Sequence, residues 1–408
     1  MNTKIRLTLM NFLQYAVWGA WLISLGAYLG NTLKFDGLQI GSFFATMGIA
    51  SLFMPAVMGI IADRWIPAQR LLGLCHLFAA GFITLAATRT DYNSLYTLVL
   101  LSVMFYMPTI ALSNSVAYNA LEKAGLDTVT HFTPIRVWGT VGFICAMWVV
   151  DLGKMGLSAT QLYFSATLGL ILGLYSFTLP NCPINRSGGG KSIVDLLGLR
   201  AFALFKQRKM AIFFIFSMLL GMSLQITNAF ADGYIKSFGD TGIHGAKYLG
   251  TFGVEHSTIL ISLSQISETL CILLIPFFLK RFGIKRVMLI AMFAWVLRFA
   301  LLGAGNPGPG VWMFILSMIV YGVAFDFFNI SGSLFVEKET SAAIRSSAQG
   351  VFMIMTNGLG ALIGSYLAGW VVNHYGWPLS WYLFAGFSLV VAIVFAVIFK
   401  YKHDPNRI

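Results

Sequence analysis

The chain has 408 residues, of which 58% are hydrophobic and only 10% are Asp, Glu, Lys or Arg. A soluble domain runs near one quarter charged and could not bury so much apolar surface, so composition excludes a soluble globule and points to repeated membrane crossing. The formal net charge of +12 does not imply nucleic acid, because most of the charges lie in short loops between apolar runs and form no basic face with interleaved readout residues.

One crossing needs about 20 apolar residues, and runs of that kind predict twelve spans, an all-α polytopic protein. The first, Arg6–Gly30, follows a basic start as a signal peptide does, but it has no small-residue cleavage site and is read as an uncleaved span. Gln39–Asp63, Arg70–Thr88, Ser94–Ala120, Pro134–Val150 and Ala159–Pro180 follow. Then comes the polar stretch "NCPINRSGGGKSIVDLLGLRAFALFKQRK", Gly-rich and flexible in its first part, amphipathic and basic in its second, suited to the membrane surface. Six more spans complete the chain: Met210–Asp232, Ser257–Leu279, Val287–Gly303, Val311–Val336, Ile344–Val372 and Ser380–Phe399. The expected organisation is a six-helix half over 1–180, a cytoplasmic linker over 181–209 and a second six-helix half over 210–408.

Charge sets the expected orientation. With the N-terminus inside, the inner segments collect about twenty Lys and Arg and the outer ones about five. The inner set includes Arg64, Arg70, Lys206, Arg208, Lys209, Lys280, Arg281, Lys285, Arg286, Lys400 and Lys402. Both termini are therefore expected in the cytoplasm, with the basic clusters meeting an anionic leaflet. Cys75, Cys145, Cys182 and Cys271 show no paired spacing, and His76, His131 and His374 are scattered, so neither a disulfide nor a metal site is expected.

A charge in hydrocarbon costs at least ~2.5–3.5 kcal/mol and usually serves function or is paired. Arg136, Glu268, Arg298 and Asp326 fall mid-span, while Asp63, Asp232 and Glu337 fall near span ends within reach of water. Arg136, Thr140 and Phe143 share one helical face and offer a guanidinium, a hydroxyl and an aromatic plane; the alternative is an Arg that snorkels to the cytoplasmic edge. Gln225 and Asn228 share another face, with amides suited to a base edge or a sugar hydroxyl, or to bonds between helices. Gln265 and Glu268 do the same; a carboxylate can accept from two vicinal hydroxyls and can titrate when desolvated. The stretch "VYGVAFDFFNISGS" supplies Tyr321, Phe325, Asp326 and Asn329, the first two an aromatic wall or ordinary packing, Asp326 a proton carrier or a structural partner of Arg136 or Arg298. Arg298 has no polar partner on its own helix; it either pairs with a carboxylate elsewhere or sits at an aqueous edge. Trp18, Trp21 and Trp138 suit interface anchoring or core packing better than a cavity wall.

Two further stretches carry a resemblance. "GIIADRWIPAQR" after the second span and "PFFLKRFGIKR" at the equivalent place in the second half resemble the loop motif of the major facilitator superfamily. Gly59, Asp63 and Arg64 match in the first copy, where Ile66 replaces a Gly. Arg281, Gly283 and Lys285 match in the second, where Lys280 replaces the Asp. Over the whole chain, "FLQYAVWGAWLISLGAY", "FTPIRVWGTVGFICAMWVV", "MAIFFIFSMLLGMSLQITNAF", "SLSQISETLCILLIPFF" and "SMIVYGVAFDFFNISGSLFVEKE" resemble the nucleoside:proton symporters of that superfamily. The resemblance implies a major facilitator fold with the fifth, seventh, eighth and tenth spans facing a central cavity. It implies a nucleoside site of Arg136, Thr140, Phe143, Gln225, Asn228, Gln265, Glu268, Tyr321, Phe325 and Asp326, with proton coupling at Asp326 or Glu268.

The function expected is import of nucleosides such as uridine and adenosine with protons, by alternating access, in the cytoplasmic (inner) membrane. The carrier is expected to be monomeric, surrounded by lipid, with no cofactor and no nucleic-acid partner. A carrier of another polar solute, such as a sugar, is the alternative. An enzyme acting on lipid-linked sugars would need large polar loops with clustered acids, and direct ATP drive would need a Gly-x-x-x-x-Gly-Lys-Ser loop; neither pattern occurs.

Overall fold

The computed structural model describes residues 2–184, 199–241, 246–341 and 344–401. The Gly-rich part of the expected linker and Lys402 lie outside them. Among the described residues all regular structure is helical, as hydrocarbon demands of a chain whose backbone groups must be satisfied internally. We number the principal helices α1 Thr3–Gly19, α2 Gly37–Arg64, α3 Ala68–Ala87, α4 Tyr92–Lys123, α5 Thr128–Leu152, α6 Thr160–Ser176, α7 Arg208–Ser237, α8 Ser257–Ala304, α9 Val311–Glu339, α10 Arg345–Met353, α11 Ala361–Tyr375 and α12 Leu379–Ile398. Nine of the described helices are long and apolar enough to cross a membrane by themselves.

The differences from the expected spans have local causes. The first span is interrupted: α1 stops at Gly19, and Leu25–Ala27 and a π turn over Tyr28–Thr32 carry the chain onward. The eighth and ninth spans run together as α8, whose two legs meet at Gly283, held at φ +76°, where only glycine is unstrained. The eleventh combines α10, a π turn over Ile354–Gly360 and α11. The fifth starts six residues earlier than Pro134, because Asp127 caps α5 by accepting from the Thr130 N–H at 2.8 Å. Asp91 caps α4 in the same way, and its hydrogen bonds from Ser94 hold its carboxyl below the usual carboxylate range.

The chain divides into two compact units. The first comprises residues 1–35 and 46–197. Its α1 and α5 cross at backbone contact: a Cβ on Gly142 would stand 2.1 Å from the Phe12 carbonyl oxygen, and one on Gly19 would stand 2.4 Å from that of Phe143. Behind this crossing, Gln14 donates to Thr109 Oγ1 at 2.7 Å and accepts from His76 Nε2 at 2.8 Å, while Tyr106 donates to the Gln14 carbonyl at 2.8 Å. This buried polar core ties α1, α3 and α4 together. On the side of the linker, Gln69 Nε2 donates to Asn181 Oδ1 at 2.6 Å, and its Oε1 accepts from the Cys182 N–H at 2.9 Å.

The second unit comprises residues 36–45 and 198–408. The first leg of α8 packs on α9 through Gly322, where a Cβ would lie 2.5 Å from the Ser267 carbonyl oxygen, and Ser267 Oγ donates to the Ile319 carbonyl. Asp232, expected near water at a span end, is instead 1% exposed. It accepts from Ser257 Oγ at 2.6 Å, Thr258 Oγ1 at 3.1 Å and Lys236 Nζ at 2.6 Å. The first turn of α8 thus closes over a carboxylate that has a partner for every oxygen. Asp63 and Glu337 are exposed as expected. Phe213 and Phe214, both on α7, are fully buried, and Phe213 packs against Phe328, Phe335 and Phe352 as part of an aromatic core.

Glycine contacts of this kind are testable. Gly142→Leu must push α1 and α5 apart and is expected to lower stability by at least ~1–3 kcal/mol, as overpacking does. Gly81→Ala, where a Cβ meets nothing within 4 Å, is expected to be neutral or stabilising by up to ~1 kcal/mol. Thermal unfolding in detergent would separate the two, and equal midpoints would refute the close crossing.

Candidate substrate and proton site

In the first unit, Arg136 sits nine residues into α5 rather than at a helix start. Its guanidinium carbon lies 4.0 Å from the centroid of the Tyr15 ring, a cation–π contact with α1. Gly139 makes room for it, since a Cβ there would stand 2.6 Å from Tyr15 and 3.0 Å from the Arg136 guanidinium. One turn on is Thr140, and then the buried Phe143, edge-on to Trp18 at 6.3 Å. Trp18 in turn packs on Tyr106 at 5.8 Å, so the hydrogen-bonded core of Gln14, His76 and Thr109 backs the aromatic pair. Sequence reading missed this support; Gln14, His76 and Thr109, each a polar residue within an apolar span, were its traces. Trp21 is buried and Trp138 is half exposed.

In the second unit, α9 presents Tyr321, Phe325 and Asp326. The Tyr321 and Phe325 rings are parallel within 7° at 5.8 Å, the aromatic wall the spacing predicts. Glu268, Asp326 and Arg298 all lie near enough to act on the Tyr321 hydroxyl electrostatically, and Glu268 is the charge that acts on Asp326. The glycine contact between Gly322 and Ser267 explains the approach of these two acids, for each stands within a turn of the crossing. Asp326 is 4% exposed, and its Oδ2 has no hydrogen-bond partner among the described residues. The buried side-chain oxygens of Gln265 on α8 and Gln225 on α7 also lack partners there. Asn228 is half buried on α7. Leu224, next to Gln225 on α7, lines the same small cavity as Phe325.

Arg298 matches neither sequence expectation. It is 2% exposed, so it sits at no aqueous edge, and among the described residues no carboxylate pairs with it. Its guanidinium instead donates to the Ser317 carbonyl at 2.7 Å and lies 4.6 Å from the Tyr321 ring centroid, while Ser317 Oγ donates back to the Arg298 carbonyl at 3.0 Å. Trp295, one turn before it, meets Tyr321 edge-on at 6.0 Å. The buried cation therefore holds one ring of the aromatic wall.

In the loop copies, Gly59 faces open space, Asp63 is exposed and Arg64 ends α2. Gly283 makes the turn between the two legs of α8, Arg281 lies 5.8 Å from the Phe282 ring, and Lys285 Nζ donates to the Ala396 carbonyl at 2.9 Å.

One acid oxygen, of Asp326, and two amide oxygens, of Gln225 and Gln265, are buried without partners among the described residues, which is costly unless something else completes them. The family described as "Nucleoside H+ symporter" matches residues 1–404. The chain belongs to that family. It is 50% identical to the nucleoside permease NupG of Escherichia coli K12, over 99% of this chain and 97% of the permease. It is 49% identical to the xanthosine permease of the same organism, over 100% and 98% of the two chains. A crystal structure of a point mutant of the nucleoside transporter NupG superposes with a TM-score of 0.94 at 50% identity, covering 98% of this chain and 100% of the other. The fold is that of the major facilitator transporters, and the protein is a membrane-spanning nucleoside H+ symporter, not an enzyme.

Arg298→Met removes a desolvated charge and keeps much of the volume. The thermal midpoint is expected to stay equal or rise. Nucleoside affinity is expected to fall about 2- to 30-fold as Tyr321 loses its cation–π partner, worth ~0.5–2 kcal/mol. A lower midpoint with unchanged affinity would assign Arg298 to packing alone.

Proposed function

We propose that the protein imports nucleosides with protons across the cytoplasmic membrane by alternating access, both termini inside, as a monomer in lipid. The substrate set is Arg136, Thr140, Phe143, Gln225, Asn228, Gln265, Glu268, Tyr321, Phe325 and Asp326. Gly59, Asp63, Arg64, Arg281, Gly283 and Lys285 serve the gating loops. The observation that carries the reading is Asp326, a buried carboxyl with an unpartnered oxygen and a second acid, Glu268, acting on it. An ionised carboxylate only accepts hydrogen bonds, whereas a protonated one also donates. A proton taken up at Asp326 therefore changes what the site offers a nucleoside, and the arrival of a nucleoside changes the balance of charges around Asp326. Glu268 accepts from the vicinal hydroxyls of ribose. The amides of Gln225, Asn228 and Gln265 complement groups that both donate and accept, and Phe143 and Phe325 offer aromatic faces to the base. A proton carried with a neutral solute also moves one positive charge inward, so the membrane potential adds ~2.3 kcal/mol per 100 mV to accumulation.

Asp326→Asn keeps the shape and removes the titration. In proteoliposomes it is expected to abolish uptake against a gradient while leaving counterflow of labelled uridine; full proton-driven accumulation would sink the assignment. Gln225→Ala is expected to weaken uridine binding about 5- to 150-fold, the effect of leaving a buried polar partner unpaired. Unchanged affinity in a folded variant would make that amide structural. For the aromatic wall, Phe325→Leu is expected to weaken binding more than Phe293→Leu, whose ring is half exposed on the helix exterior. Phe213 would be a poor control, since its loss damages the core.

A further inference from the structure

The proposed substrate set includes Arg136 of α5 but not the ring on which it rests. The guanidinium carbon of Arg136 stands 4.0 Å from the centroid of the Tyr15 ring on α1. Tyr15 is buried and Arg136 is half buried. Among the described residues Arg136 makes no hydrogen bond or ion pair, so its donors are free. Arg298 makes the contrast: it is the buried member of its pair with Tyr321, and one of its donors is taken by the Ser317 carbonyl. There a fixed cation holds a ring. In the first unit the ring is the fixed member and the cation the accessible one.

Two features fix the ring. At the residue before it, all the hydrogen bonds of the buried polar core meet: the Gln14 side chain donates to Thr109 Oγ1 at 2.7 Å and accepts from His76 Nε2 at 2.8 Å, and the Gln14 carbonyl accepts from the Tyr106 hydroxyl at 2.8 Å. α1 is therefore held from α3 and α4 at this point. On the other side is Gly139, one turn after Arg136. A Cβ there would stand 2.6 Å from the Tyr15 ring and 3.0 Å from an Arg136 guanidinium nitrogen, so ring and cation both lie against the backbone of α5. The kind of contact matters as well. An aromatic face attracts a guanidinium without taking up its N–H donors and without cancelling its charge, whereas a carboxylate does both. A long side chain with neither partner is free to snorkel toward water.

We propose that Tyr15 is a positioning residue for nucleoside binding: its ring, set between the Gln14 hydrogen bonds and Gly139, holds the Arg136 guanidinium in one orientation with its N–H donors free for the substrate. The proposal rests on the reading of the chain as a nucleoside carrier with Arg136 in its site, and it adds a residue that touches Arg136 rather than the nucleoside. A guanidinium that is already oriented has less rotamer freedom to lose when the substrate binds. The ring acts, and not the hydroxyl, because the attraction comes from the aromatic face. Phenylalanine therefore suffices at this position, and an aliphatic side chain does not.

The test measures binding of uridine and adenosine to the purified full-length protein, with the thermal midpoint as a check on folding. Tyr15→Phe is expected to bind within about 2-fold of the wild type, since it keeps the ring. Tyr15→Leu is expected to bind about 2- to 30-fold more weakly, the loss of one cation–π contact. Tyr15→Met, which fills the space without an aromatic face, stands in if the leucine variant does not fold. The same substitution made together with Arg136→Gln is expected to cost nothing beyond Arg136→Gln alone, because the group it positions is gone. Where that background binds too weakly for a direct measurement, the KM of nucleoside counterflow takes its place. A loss in Tyr15→Phe as large as in Tyr15→Leu would assign the effect to the hydroxyl. An equal loss with and without Arg136 would make Tyr15 a packing residue. Unchanged affinity in folded Tyr15→Leu, or wild-type affinity in Arg136→Gln, would leave nothing to position. Each of these results overturns the role of Tyr15 and leaves nucleoside transport intact. Wild-type protein that bound neither nucleoside would overturn the transport reading, and this one with it.

Discussion

Hydrocarbon offers no water to complete a polar group, and the rest of the structure follows from that constraint. It makes the chain helical, because only a helix satisfies its own backbone within one segment. It also gives each polar side chain inside a span a strict choice between finding a partner in the protein and facing a solute. Asp232 and Asp326 show the two outcomes in one unit. Asp232 is buried by two hydroxyls and an ammonium that together satisfy both of its oxygens. Asp326 is almost as buried, yet it has an unpartnered oxygen and a like charge nearby. The first is part of the scaffold. The second is the group we propose to exchange a proton.

Its placement depends on close helix packing. At three crossings a glycine brings backbone onto backbone: Gly142 on Phe12, Gly322 on Ser267 and Gly221 on Thr356. The first two are next to groups the proposed function uses. The first sets Phe143, the second brings the helices of Glu268 and Asp326 together, and the third fixes the π turn at Thr356. Apolar side chains have little to gain from one another in lipid, so small residues that permit close approach are what define a helix interface there. The polar groups of the site are therefore positioned mainly by backbone contact, with the Ser267 hydroxyl bonded to the Ile319 carbonyl at one of these crossings.

Arg298 adds a different kind of support. Its buried cation has no carboxylate partner among the described residues and is held by a carbonyl and an aromatic face. Such a group contributes little to stability, and its retention makes sense if the ring it holds, Tyr321, has a task. The buried core of Gln14, His76 and Thr109 does the same for Trp18 and Phe143 in the first unit, with hydrogen bonds in place of charge.

Hydropathy alone determined that this chain crosses a membrane many times and where most crossings fall, because burial in lipid requires long apolar runs whatever the packing. Period and residue type likewise determined that Arg136 shares a face with Phe143 and that Tyr321 and Phe325 form a wall, since both are properties of a single helix. Which acid is satisfied could be read only in part: Lys236 stands one turn after Asp232 on the same helix, but its two hydroxyl partners lie 25 and 26 residues further on, in another helix. The same holds for Arg298, whose acceptor Ser317 is 19 residues away, and for the π turn at Thr356, which rests on Gly221 of α7. Only the tertiary structure decided these points, because a hydrogen bond or cation–π contact between helices depends on crossing geometry, and in lipid that geometry is set by backbone approach at a few glycines rather than by any periodic signal along the chain.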